Sequence, residues 1–309
     1  MNKNQRNWEG RTGGGAFGQK FLLSFLQIAD VRILYPVLYL VIPFYLIFGK
    51  KGRDASYQYF LERHGFSRLS SLLHVFKNHL SFGKVVLDKF ALLSGNKKQF
   101  RLINKGNTPI KEQIKHSEGF VIAGAHIGNL ELAGLCIPHE QKKVNAIIYG
   151  GERADFQKTR DVAFEQSNIN LIPVTNDMSH LFAIKEAIER GEIVVIPCDR
   201  VFGSPKSIRC KFLGREASFP IGPFRLAAQL EVPVKTLFIM KEKGLDYSVF
   251  EGEANHSNQE RTTERAEEMA CEYVSQLEKI IKQYPDQWFN FFHFWNEDLN
   301  TKAHPYSRK

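Results

Sequence analysis

The sequence predicts an α/β protein with a mainly parallel, doubly wound sheet, preceded by an N-terminal membrane-associated helical segment. Three observations predict it: apolar runs alternating with helical patterns from residue 117 onward, a strand-like run that ends at His126, and an uncharged stretch of sixteen residues near the start. Strands separated by helices return through crossovers, so they pair in parallel and are covered on both faces.

The chain of 309 residues carries a net charge of +9, and residues 1–53 hold eight Lys/Arg against Glu9 and Asp30. The charge is concentrated at one end. On electrostatic grounds that end suits an anionic phospholipid, a nucleic acid or an acidic carrier protein. The division expected is a basic tail and membrane-associated segment over 1–53 and one domain over 54–309. Within the first part, Ile33–Phe48 lacks any charge and is bracketed by Arg32 on one side and Lys50, Lys51 and Arg53 on the other. A spanning helix needs about 20 apolar residues, and Pro36 and Pro43 each remove a backbone donor, so the segment either crosses with tilt or lies kinked in one leaflet. Tyr35, Tyr39 and Tyr45 suit an interfacial position. The polar, glycine-rich residues before it argue against a cleavable signal. Gly13 to Gly18 spells G-x-G-x-x-G, but no strand precedes it and a nucleotide site is rejected.

Residues 54–95 repeat leucine and aromatic positions at helical spacing, with His64, His74 and His79 as partly exposed helix residues rather than ligands. Beyond them the expected strands are 119–125, 144–149, 170–174, 193–197, 234–239 and 247–250. Helices are expected near 129–136, 154–167, 179–190, 222–230 and 259–283. Cys136, Cys198, Cys210 and Cys271 are scattered, without zinc spacing, which fits a reducing compartment. No metal site and no cofactor are expected.

His126 and Glu131 lie five residues apart where a buried strand turns into a helix. Side chains five apart in a continuous helix diverge by about 140°, so the two converge only if His126 lies outside it. Glu131 is then expected to accept from Nδ1–H and make Nε2 a general base for a hydroxyl or amine. Arg153 and Arg160 follow the second strand of this sheet and suit a phosphate or carboxylate, or else a solvated helical turn. Asp199 and Arg200 follow another apolar strand; the aspartate orients an arginine or the acceptor, or simply caps a turn. Lys206, Arg209, Lys211 and Arg215 line an expected loop that leads to Gly222 and Pro223, where a helix start offers N–H groups to an anion or oxyanion. The aromatic run Trp288 to Trp295 reads as core or as the wall of an acyl groove.

These residues resemble the bacterial lipid A late acyltransferases of the lysophospholipid acyltransferase superfamily. The resemblance spans residues 20–297 and rests on His126-x4-Glu131, the Asp199 segment, Phe212-x-Gly214, Phe219-Pro-x-Gly222-Pro223-x-Arg225-Leu-Ala, and Pro285-x-Gln287-Trp288-Phe289. It implies the glycerolipid-acyltransferase type of sheet and transfer of a fatty acyl chain from an acyl carrier protein thioester, or acyl-CoA, to a lipid hydroxyl. It also implies catalysis without metal or redox cofactor, at the cytoplasmic face of the bacterial inner membrane. Asp199-Arg200 stands where members acting on lipid A usually have Asp-Gln, and the opening Trp8-Glu-Gly-Arg11 resembles relatives serving aryl polyene or aminolipid pathways. A Ser/His hydrolase is disfavoured because no G-x-S-x-G elbow occurs. A membrane-tethered nucleic-acid binder is disfavoured because aromatics cluster with proline and leucine rather than with Lys/Arg.

Overall fold

The computed structural model describes residues 15–95, 99–137, 142–149, 169–174, 179–201, 206–255 and 261–295. The expected helix 154–167, with Arg153 and Arg160, lies outside the described residues.

Seven strands form one sheet in the order β1-β9-β8-β2-β5-β3-β4. They are β1 (Arg101–Asn104), β2 (Phe120–Gly124), β3 (Val144–Tyr149), β4 (Ile169–Val174), β5 (Ile193–Pro197), β8 (Val234–Lys241) and β9 (Asp246–Glu253). All neighbours pair in parallel except β8 and β9. The doubly wound, mainly parallel sheet is therefore as expected, with β1 as an additional edge strand.

Alternate residues of β2 feed opposite cores, as the two-residue period of a strand dictates. Val121 and Ala123 face a cluster with α7 (Ser179–Glu189), α8 (Gly222–Leu230) and α9 (Thr262–Gln283). Phe120 and Ile122 face a second cluster with α5 (Pro109–Ile114) and α6 (Ala133–Cys136). A strand buried on both sides must be apolar throughout, which is why β2, β5 and β8 read as continuous apolar runs.

Residues 206–215 form a hairpin rather than the expected loop: β6 (Ser207–Phe212) pairs antiparallel with β7 (Arg215–Pro220). Cys210, Phe212, Ala217 and Phe219 are buried, whereas Lys206, Arg209, Lys211 and Arg215 are exposed. Arg209 and Lys211 are the solvent half of the β6 alternation, whereas Arg215 shares the face of Ala217 and Phe219 and is exposed at the end of the hairpin.

The N-terminal part is helical: α1 (Gly15–Ile28), a 3-10 turn Val31–Leu34, α2 (Tyr35–Phe48), α3 (Lys50–Gln58) and the long α4 (Arg68–Leu93). Residue 53 falls inside α3. Among the described residues, Val31–Phe48 is long and apolar enough to cross a membrane by length and composition, with mean hydropathy 2.0 and 11 % of it buried. Leu40, Phe44 and Phe48 are exposed at 81 %, 60 % and 70 %. Nearby on α4, Leu69, Leu72 and Leu73 are exposed as well. A buried knot ties this region to the sheet. Lys241 Nζ lies 2.5 Å from Asp88 Oδ2 and 3.0 Å from the Tyr35 hydroxyl, and Tyr35 donates to Asp88 Oδ1 at 2.5 Å. Tyr247 donates to the same Asp88 carboxylate.

Candidate active site

β2 and β5 are adjacent and in register, with Phe120 opposite Ile193 and Gly124 opposite Pro197. Two residues beyond each strand's carboxyl end stand His126 and Asp199. In parallel sheets this edge is where ligands bind. Cys198 N–H donates to the Gly124 carbonyl at 2.8 Å, so the pairing carries past the strands and sets the two side chains side by side.

The His126 ring meets Asp199, not Glu131. His126 Nδ1 lies 2.7 Å from Asp199 Oδ1, and Asp199 Oδ2 accepts from the His126 backbone N–H at 3.1 Å and from Trp288 Nε1 at 3.2 Å. Three donors thus converge on one buried carboxylate. Burial opposes its ionisation, but attraction to His126 and the hydrogen bonds outweigh burial and take the Asp199 carboxyl down to about 2. An acceptor on Nδ1 fixes the tautomer with Nε2 unprotonated, and the His126 side chain is 40 % exposed. This arrangement can take a proton from a bound hydroxyl.

Glu131 sits in the 3-10 turn Leu130–Leu132 and pairs with Lys89 of α4 at 2.6 Å. Burial works against its charge; the Lys89 ammonium outweighs burial and holds the Glu131 carboxyl below the usual range, with a further contribution from His126. The hydrogen bond expected from His126 to Glu131 is therefore replaced. The carboxylate turns toward the lysine while remaining within electrostatic range of the imidazole.

Gly128 allows the turn that aims His126. Its φ is +55°, and a Cβ there would lie 2.1 Å from the Ile239 carbonyl oxygen, so only glycine fits. Its N–H donates to the Gln287 carbonyl at 2.9 Å and that of Asn129 to the Ile239 carbonyl at 2.8 Å, so both are engaged within the fold. Gly222 opens α8, where first-turn amides have no partner within the helix.

Arg200 is held against the closing segment. Its Nη2 donates to the Phe289 carbonyl at 2.8 Å and its guanidinium stacks 5.5 Å from the Phe292 ring. Burial lowers its pKa, and Asp199 opposes that effect. Phe289 N–H donates to the His126 carbonyl at 3.0 Å, and Ile127 bridges Trp288, so the aromatic run is stitched along the histidine turn. Arg209 and Lys211 stand on the outer face of β6 and Lys206 just before that strand, and all three are exposed.

Lys89 and Trp288 take part without having been singled out for these contacts, since each is far in sequence from its partner. Asp199 had a sequence signal: it follows the start of its apolar run by six residues, as His126 does. Among the described residues no group of three or more His, Cys, Asp or Glu is arranged to hold a metal ion.

The family pattern described as bacterial lipid A biosynthesis acyltransferase matches residues 86–297. Among solved structures, the chain is similar to the 1-acyl-sn-glycerophosphate (LPA) acyltransferase PlsC from Thermotoga maritima at 15 % identity and a TM-score of 0.37, over 86 % of this chain and 97 % of that one. No curated protein matches it by sequence.

Proposed function

Because the chain belongs to the bacterial lipid A biosynthesis acyltransferase family, and is thus an acyltransferase, we propose that His126 acts as the general base that moves a fatty acyl chain from an acyl carrier protein thioester, or acyl-CoA, to a lipid hydroxyl. The observation that carries this reading is the buried Asp199 on Nδ1 of a histidine whose ring is partly open to solvent.

In the proposed step, Nε2 takes the acceptor proton as its oxygen attacks the thioester carbonyl. The tetrahedral adduct then expels the thiolate, which recovers that proton from His126, giving ester and free thiol. First-turn amides of α8 at Gly222 and Phe224 are the candidate oxyanion donors; Pro223 has none to give. Glu131, with Lys89, contributes charge beside the imidazole. Arg153, Arg160, Lys206, Arg209 and Lys211 are proposed to attract phosphate or an acidic carrier, while Arg200 anchors the aromatic wall along which the acyl chain lies.

The test is thiol release from an acyl carrier thioester. Release is expected only when a lipid acceptor is supplied, and lipid profiling of cells with and without the gene should reveal a species lacking one acyl chain. Acceptor-independent hydrolysis would overturn the transferase reading, and an aryl polyene or aminolipid among the missing species would move the acceptor away from lipid A.

Attachment to the cytoplasmic leaflet of the inner membrane is part of the same proposal, supported by the exposed apolar face of α2 between Arg32 and the Lys50, Lys51, Arg53 cluster. Removing residues 1–53 is a poor test, because it would strip Tyr35 from the buried Asp88–Lys241 pair. Breaking a buried pair costs about 3–5 kcal/mol, and here one of its hydrogen-bonding partners would go. Replacing Leu40, Phe44 and Phe48 together by glutamate alters only exposed positions. It should shift the protein from the membrane to the soluble fraction, whereas salt washing of the unaltered protein should not, since apolar burial is barely screened. Complete release by salt would contradict apolar attachment.

A further inference from the structure

A cleft of ≈ 210 Å³ lies beside the aromatic strip, with Glu62, Arg63, Arg215, Asn290, Phe292 and Trp295 among its lining residues. Its charge comes from two separate elements. Arg63 ends the π-helical turn Tyr59–Arg63, and Arg215 opens β7. Arg63 stacks 5.4 Å from the Trp295 ring and pairs with Glu62 at 3.0 Å, so its guanidinium plane is fixed. One carboxylate against two guanidiniums leaves the cleft positive.

The wall also contains unmet hydrogen-bonding capacity. Asn290 is 6 % exposed and its Oδ1 has no partner; Trp295 Nε1 has none either. Such atoms are uncommon in folded proteins, and both are shut off from water, so each gains from a ligand that reaches it. The same strip runs to the catalytic centre. Phe289 is bonded to the His126 carbonyl, and Arg200 joins Phe289 to Phe292, a wall of the cleft.

We propose that this cleft receives the phosphopantetheine arm of the acyl donor, its phosphate between Arg63 and Arg215 and its amides on Asn290 and Trp295. The assignment rests on the acyl-transfer reading and names the part of the donor that is recognised. A phosphate matches two guanidiniums. The arm's secondary amides supply an N–H for Asn290 Oδ1 and a carbonyl for Trp295, whereas a diacylated phosphatidic acid has no amide N–H or glycerol hydroxyl to offer Asn290. Outside the cleft, Arg209 and Lys211 are exposed on the same hairpin as Arg215, and that face suits the acidic carrier from which the arm projects.

The experiment is calorimetric titration of the full chain with three probes: 4′-phosphopantetheine, pantetheine and short-chain phosphatidic acid. Phosphopantetheine should bind about tenfold more tightly than pantetheine. Arg63→Gln with Arg215→Gln should erase that difference, and Arg215→Gln alone, at an exposed position, should narrow it without a risk to folding. With the carrier-bound donor, the same variants should raise KM for the thioester by a larger factor than they lower kcat. Equal binding of the two pantetheines, or a difference that survives in the double variant, overturns the proposal. Arginine-dependent binding of phosphatidic acid alone would give the cleft to the lipid acceptor and overturn the donor assignment. Binding is read without turnover, so absent acyl transfer would count against the reaction and not against the cleft.

Discussion

His126→Ala should lower acyl transfer by about 10²-fold or more, because it removes the imidazole that follows β2 and with it the proposed base for the acceptor hydroxyl. The fold should survive. The His126 side chain is 40 % exposed, and Asp199 keeps the backbone N–H of residue 126 and the Trp288 indole as donors. The stability cost is that of one lost hydrogen bond to a charged group, about 1.5–3 kcal/mol. Steady-state thiol release with donor and acceptor present, alongside a thermal melt, separates the two effects. Wild-type turnover in the alanine variant would end the general-base assignment.

Asp199→Asn should be nearly as damaging, on the order of 10²- to 10⁴-fold in turnover, by analogy with the loss of the orienting aspartate in a hydrolase triad. Three N–H donors converge on the two carboxylate oxygens, and an amide can accept on one side only. If its NH₂ group faces Nδ1, the ring must take the tautomer with Nε2 protonated, which leaves no lone pair for the acceptor. If the NH₂ group faces the other way, the backbone N–H of His126 and Trp288 Nε1 lose their acceptor. Glu131→Gln should also slow turnover, but by less, since it leaves Lys89 without its carboxylate and does not touch Nδ1. A larger loss in Glu131→Gln than in Asp199→Asn, measured under the same conditions, would return the orienting role to Glu131.

Sheet register, rather than local spacing, decides which carboxylate meets His126 Nδ1. The spacing from His126 to Glu131 is visible locally, and a histidine placed in the strand-to-helix turn, outside the helix, would allow the two to meet. The partner was instead chosen by sheet register, a non-local quantity. Both β2 and β5 are short apolar runs, and equal counts from their starts place His126 and Asp199 together, so the pairing was legible once the strands were assumed adjacent. Lys89 and Trp288 carried no such signal, because the packing of α4 and the closing segment decides their positions.

The central strands were readable for a different reason: burial on both faces leaves an uninterrupted apolar run. The hairpin of β6 and β7 was not, because one face is solvated and its lysines and arginines resemble a loop. Its turn is at Leu213 and Gly214, with φ of 48° and 79°. Two consecutive positive φ values suit the twist of a hairpin. Leucine rarely adopts such a value, but here its N–H donates to Glu278 at 2.7 Å and its side chain is buried.

The knot of Tyr35, Asp88, Lys241 and Tyr247 has a geometric consequence. Tyr247 accepts from Asn129 at 3.4 Å, so the knot reaches the turn that carries His126. The apolar face of α2 and the catalytic turn are therefore clamped to the same buried charge pair, and they travel as one body. A hinge would let the histidine seek acceptors at many heights above a surface. With α2 on a membrane, as proposed, this fold would instead act as a fixed-length spacer, making the height of the acceptor hydroxyl a criterion of substrate choice, set by side chains that never touch the substrate.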